Sequence, residues 1–154
     1  MIDQKLYVPP DVLQANAEWG CNCGPASVAA LLGMTCSDVR RYFPDWKGYT
    51  QVTIAKKALA MAGYAHRSLY PPAFPNRGLA ILQIDGPWCN PGVPVRVAYK
   101  HMHVVAVSGD MVYDINAGEW ITHKEWRRDI MPEIEAAHKG ATGWHVRHGI
   151  EVGW

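Results

Sequence analysis

The chain has 154 residues, the size of one domain (1–154) and enough to bury a core without disulfide staples. With 49% hydrophobic and 19% charged residues, a net charge of +1 and scattered Lys and Arg, it has a globular composition that argues against a general nucleic-acid binder. The longest apolar run, ASVAALLGM, is too short for a bilayer and MIDQKLYVPP lacks the form of a secretory leader, so a cytoplasmic protein off the membrane is expected, its cysteines reduced.

Leu6 to Pro9 reads as a short extended lead-in, ended by Pro9-Pro10, and DVLQANAEW as either a turn of helix or a loop. From Gly24 to about Met34 the pattern is helical. Pro25 suits a first turn, Val28, Leu31 and Leu32 recur at helical spacing, and Gly33 is a terminator. A second helix is predicted with Ser37 as its cap and Asp38 in its first turn, ending before Pro44. A third runs from Thr50 or Thr53 to Met61 and is closed by Gly63.

After the third helix the chain changes character. LAILQI (Leu79 to Ile84) has strand length, and DGPWCNPGVP is loop. VRVAY, HVVAV and MVYDI are predicted strands, the last two joined by a tight turn at Ser108 to Asp110. THKEWRRDIM predicts a final helix capped by Thr122, and Trp144, His145, Val146 and His148 an edge strand. Helices first and an antiparallel sheet after describe an α+β domain.

The chemistry concentrates in WGCNCGPASVAALLG. A thiol becomes a useful nucleophile as thiolate, and a helix N-terminus and a neighbouring imidazolium both lower its pKa. Cys23 stands at the predicted start of the first long helix, where free backbone N–H groups also suit a developing oxyanion. In HMHVVAVSGDMVYDINAGEW, a two-residue turn at Gly109-Asp110 sets Val107 opposite Val112, Val105 opposite Asp114 and His103 opposite Asn116. His103, Asp114 and Asn116 then share one face, so a carboxylate or an amide stands where it can orient the imidazole.

In order along the chain, LYVPP, Gln14, CGPASVAALLG, HVVAV, DINAG and THKEW resemble the papain-like cysteine peptidases of the bacteriocin-leader-processing branch, as a single-domain relative. The similarity spans roughly Leu6 to Trp126. It implies a papain-like fold, with the nucleophile at a helix N-terminus packed on a C-terminal antiparallel sheet. It also implies that Cys23 is the nucleophile, His103 the general base and acid, Asp114 the residue orienting the imidazole, and Gln14 the side-chain donor of the oxyanion hole. Gln14 lies farther from the cysteine than in the family, which leaves Asn16 and Asn22 as alternative donors. Ile115 stands where the family has proline, and the short hairpin leaves Asn116 as an alternative third member.

Outside this set, Cys36 and Cys89 read as small buried hydrophobes and Cys21 as a bystander. Cys21, Cys23, His101 and His103 do not have structural-zinc spacing, and no metal or cofactor is expected. His101 is the weaker candidate base, Asp110 a turn residue, and His138, His145 and His148 surface residues. YPPAFPNRG and DGPWCNPGVP are candidate cleft walls, with Trp88 and Trp120 either lining a groove or buried. The expected activity is a cysteine peptidase or amidase acting on a peptide or protein. The alternatives are an acyltransferase or transglutaminase with the same triad, and an inactive papain-like binding module. The small size also suits a phage-encoded or host-delivered enzyme.

Overall fold

The structure, a computed structural model, describes residues 6–153, so part of the stretch read above for a leader lies outside the described residues. Four helices come first: α1 (Val12–Trp19), α2 (Cys23–Leu32), α3 (Cys36–Val39) and α4 (Val52–Met61). They are followed by β1 (His66–Ser68), β2 (Arg77–Asp85), α5 (Val95–Ala98), β3 (Met102–Ser108), β4 (Met111–Asp114) and β5 (Glu119–Thr122). The chain closes with α6 (His123–Glu125), α7 (Met131–Ala137) and β6 (Gly143–Val152). All six strands join one antiparallel sheet in the order β1-β6-β2-β3-β4-β5, so the architecture is α+β.

The sheet is covered on both faces, and the alternation of side chains along β2 and β3 sorts the core into two layers. Leu79, Ile81, Val104 and Ala106 pack with α2 and the other early helices. Ala80, Leu82, Ile84, Val105 and Val107 pack on the other side with Trp126, Met131 and Ile134. Strands buried on both faces read as continuous apolar runs, which is why LAILQI and HVVAV show no polar alternation. Helix α2 is buried almost all round, from Gly24 to Leu31. Its Ala26, Ala29 and Ala30 let it sit close to the sheet.

One open reading is settled and three elements depart from expectation. DVLQANAEW forms α1, ended by Gly20 in the left-handed conformation (φ 78°). Helix α3 is capped by Thr35, whose Oγ1 accepts from Asp38 N at 3.1 Å; Ser37 instead gives its N–H to Asp11 Oδ2 at 3.0 Å. VRVAY is not a strand but α5 and the 3-10 turn Tyr99–His101. Two carbonyls of this segment, Ala98 O and His101 O, accept from the buried Gln83 amide, each at 3.3 Å. The C-terminal strand is not an edge: β6 lies between β1 and β2, and the edges are β1 and β5.

The β3–β4 hairpin has the predicted register, with Val107 opposite Val112, but its ladder stops at Ala106–Tyr113. Backbone groups alternate in direction along a strand, so those of Val104 point the same way as those of Ala106, toward a position that β4 no longer fills. Helix α2 fills it: Ser27 Oγ donates to Val104 O at 3.1 Å, and the Val104 backbone hydrogen-bonds the Cys23 sulfur. Ser27 is wholly buried. Ser27→Ala leaves a buried carbonyl unsatisfied and is expected to cost about 1–3 kcal/mol. The check is a lower urea midpoint at unchanged slope.

Candidate active site

Cys23 is the first residue of α2, whose cap is Asn22 in extended conformation, with Oδ1 accepting from Gly24 N at 3.4 Å. At this position the Cys23 N–H has no partner within the helix, and the helix dipole favours negative charge. Gly24 has a packing reason of its own: a Cβ there would land on Thr50 Oγ1. Pro25 occupies the first turn, where its missing N–H costs nothing.

Across from Cys23 stands His103, near the start of β3 and 7% exposed. Its Nε2 donates to Asp114 Oδ2 at 2.8 Å, which leaves Nδ1 for the hydrogen bond with the Cys23 thiol. Asp114, at the end of β4, is fully buried with both oxygens engaged. Oδ2 also accepts from Trp126 Nε1 at 2.9 Å, and Oδ1 from Asn116 N at 2.9 Å. The turn after β4 closes on the same residue, since Asp114 O accepts from Ala117 N and Gly118 N. Trp126 reaches the carboxylate because Thr122 and Glu125 form a reciprocal capping box and the helix then widens into a π turn, Trp126–Ile130.

The electrostatics follow from these contacts. Burial works against ionising Cys23, but the hydrogen bond and charge of His103 outweigh it, and the thiol is held below its ordinary pKa. Burial also opposes the His103 imidazolium, yet the hydrogen bonds to Asp114 and Cys23 raise it to about 10. Burial alone would push Asp114 up; the donors His103, Trp126 and Asn116 N–H reverse this and hold it ionised. The lowered cysteine and the raised histidine both favour the thiolate–imidazolium pair over the neutral one.

Gln14, Asn16 and Asn116 are not brought to the thiol by their side chains. Gln14 is exposed on α1 and donates to Glu18 Oε1 at 2.9 Å. Asn16 donates to Cys21 O at 2.8 Å, and Asn116 meets Asp114 through its backbone. Asn22 does line the cleft beside Cys23, with its Nδ2 on Gly48 O at 2.8 Å. His101 is turned away: it stacks on Trp88, ring centroids 3.7 Å apart, and its Nδ1 meets His138 Nδ1 at 2.8 Å. His138 is therefore half-buried and partnered rather than a surface residue, and His145 pairs with Asp85.

Of the other thiols, Cys89 is exposed, contrary to expectation, and Cys36 is buried. The hydrogen bond with buried Cys21, then burial, push Cys36 far upward, so it stays a neutral thiol. Among the described residues, no group of three or more His, Cys, Asp or Glu is arranged to hold a metal ion, and no helix is long and apolar enough to cross a membrane.

The cleft at Cys23 has a volume of about 610 Å³, within the range of ligand sites. Its lining comes from Asn22 and Cys23, from residues 48–50, from the segment of Arg96, Tyr99 and Lys100, and from Met102 and Val104. Neither predicted wall loop lines it. Trp88 lies against His101, and Trp120 donates to Tyr7 O at 2.7 Å, tying down the lead-in. Sequence reasoning missed Trp126, Thr50, the Val104 backbone and the segment of Arg96, Tyr99 and Lys100. Only Trp126 left a signal, in the capping-box spacing of THKEW. Compared with known proteins, the chain matches no family model, no curated protein and no solved structure.

The pKa directions set the pH dependence of thiol reactivity. Alkylation of Cys23 by iodoacetamide should reach its plateau with a midpoint below the value of about 8.5 for an ordinary cysteine. In His103→Ala the lowering contact is gone, burial and the Asp114 charge remain, and the midpoint should move above that value. Site-resolved mass spectrometry across pH reads both midpoints, with circular dichroism as the control for folding.

Proposed function

We propose that this protein is a thiol-dependent hydrolase of peptide or amide bonds, built on a papain-like plan. The observation that carries the reading is one imidazole set between two groups: its Nε2 donates to a buried, fully hydrogen-bonded carboxylate, and the ring is the electrostatic partner of a thiol at a helix N-terminus. That arrangement has a nucleophile, a proton carrier and an orienting group within hydrogen-bond reach of one another.

The Cys23 thiolate attacks the substrate carbonyl carbon, and the carbonyl π electrons move to oxygen, beside the Cys23 N–H. As the tetrahedral species collapses, the C–N bond breaks and His103 Nδ1 hands its proton to the departing amine, leaving a thioester on Cys23. The now neutral His103 takes a proton from water, the hydroxyl adds to the thioester carbonyl, and collapse restores thiolate and imidazolium with release of the acid. Asp114 keeps the ring in the required tautomer and stabilises its charge. Asn22 is the side chain best situated to add a second oxyanion donor, by exchanging Gly48 O for the substrate. With an amine in place of water the same steps make an acyltransferase, and nothing in the cleft favours that over hydrolysis.

A peptide vinyl sulfone gives the test. Intact protein should gain a single adduct on Cys23, absent in Cys23→Ala and slowed on the order of 10²–10⁴-fold in His103→Ala, the range for loss of a proton-transfer partner. Gln14→Ala, on the outer face of α1, should label within about twofold of the parent, compared with a loss of 10²–10³ for an oxyanion donor. A folded protein that stays unlabelled would instead support the inactive binding module.

A further inference from the structure

The part of the cleft lining formed by Arg96, Tyr99 and Lys100 is positively charged, and among the described residues no acid balances it. Arg96 and Lys100 are four residues apart in the segment formed by α5 and the turn Tyr99–His101, and both line the cleft that holds Cys23. Four residues of helical chain advance only about 6–8 Å, whereas the strand expected from VRVAY would have spread Arg96 and Lys100 over about 13 Å. Among the described residues neither has an ion-pair partner, whereas exposed Arg41 and Arg128 each pair with an aspartate. Among the described residues no carboxylate lines this cleft.

The wall is anchored from beneath. Gln83, 2% exposed on β2, donates through Nε2 to Ile84 O at 2.9 Å and to Ala98 O and His101 O, gripping both ends of the turn that carries Lys100. The Gln83 Oε1 accepts from Arg147 Nη1 at 2.9 Å, and the Arg147 guanidinium lies over the Tyr99 ring at 5.4 Å. A third cation therefore backs the same wall. A buried polar side chain spent on holding an exposed, uniformly cationic segment is more than a solvated surface requires.

From this we infer that the cleft selects peptides carrying an acidic side chain close to the bond presented to Cys23, with Arg96 and Lys100 as specificity-determining residues. The inference rests on the proposed thiol chemistry and adds a substrate class to it. An aspartate or glutamate carboxylate lying between the two side chains accepts from both, while the apolar floor at Met102 and Val104 takes the neighbouring residue. The positive field also speeds encounter with acidic segments, an effect that salt suppresses.

Peptide aldehydes test this by binding, without turnover. Matched tetra-alanine aldehydes carry one Glu, or one Gln, walked through the four positions, and Ki is measured by competition with vinyl sulfone labelling. At one or two positions Glu should bind roughly three- to tenfold tighter than Gln, the sum expected from two partly exposed charge contacts. In Arg96→Gln/Lys100→Gln, and in the parent at about threefold the physiological ionic strength, the Glu-to-Gln ratio should fall toward one. Equal binding of Glu and Gln at every position, or a preference that survives the double substitution, overturns the inference. Iodoacetamide alkylation of the parent is read in parallel. A reactive Cys23 with no Glu preference sinks the specificity alone, whereas an unreactive thiol sinks the proposed function beneath it.

Discussion

The backbone of Val104 is where the helical and sheet halves of this structure are tied together. Strand β3 outruns its partner β4, and the bare edge that results would leave a buried N–H and C=O without partners. Helix α2 meets that need with side chains, Ser27 for the carbonyl and the Cys23 sulfur for the amide. The pairing fixes how far α2 slides along the sheet, because Ser27 is one helical turn on from Cys23 and both must reach the same residue. Once α2 is in that register, its N-terminus stands over the beginning of β3, and a histidine next to Val104 is brought to the thiol.

The same ladder length decides how the imidazole is oriented. By alternation His103 belongs to the face of Val105 and Val107, the side on which Trp126 and Asp114 are buried, while the thiol approaches from the helix side. The ring therefore bridges the two layers at the open edge of β3. A carboxylate buried this deeply is costly unless each oxygen is satisfied. Three donors from three separate elements do this: His103 on β3, Asn116 in the turn after β4, and Trp126 beyond α6. The π turn after the capping box shifts the helix by one residue at Trp126, a local irregularity that makes sense as the means of aiming the indole N–H at Asp114.

Elements whose pattern is local were legible in the sequence. The α2 helix, with Pro25 inside its start and Gly33 past its end, and the two-residue turn of the β3–β4 hairpin are examples, and the face-sharing of His103 and Asp114 follows from that turn. What was hidden depends on partners far away in the chain. VRVAY has the β-branched content of a strand, yet the hydrogen bonds from Gln83, at least fifteen residues earlier, hold it as helix. WHVRH looks like an edge strand because polar residues alternate with apolar ones. It is an interior strand whose polar side chains meet Asp85 and Gln83 across the sheet. Thr35 and Ser37 are both good caps, and the choice between them is made by Asp11, which takes the Cys36 and Ser37 N–H groups and leaves Thr35 to cap the helix.

The misplacement of Gln14 has a physical cause that bears on how the site would work. Helix α1 directs Ala15 into the core, and the exposed Asn16 holds Cys21 O, which together fix the helix rotation and leave Gln14 pointing outward to Glu18. A left-handed Gly20 then carries the chain to Cys21 and Asn22, and no residue of α1 lines the cleft at the thiol. On the proposed reading the oxyanion meets one rigid donor, the Cys23 N–H, and a second only if Asn22 releases Gly48 O. A preorganised side-chain donor contributes on the order of 3 kcal/mol to the transition state. A site lacking one depends more heavily on holding its substrate in the reactive position. The cationic wall anchored by Gln83 is the part of the cleft suited to that task, so substrate recognition and catalysis would be harder to separate here than in an enzyme with a complete oxyanion hole.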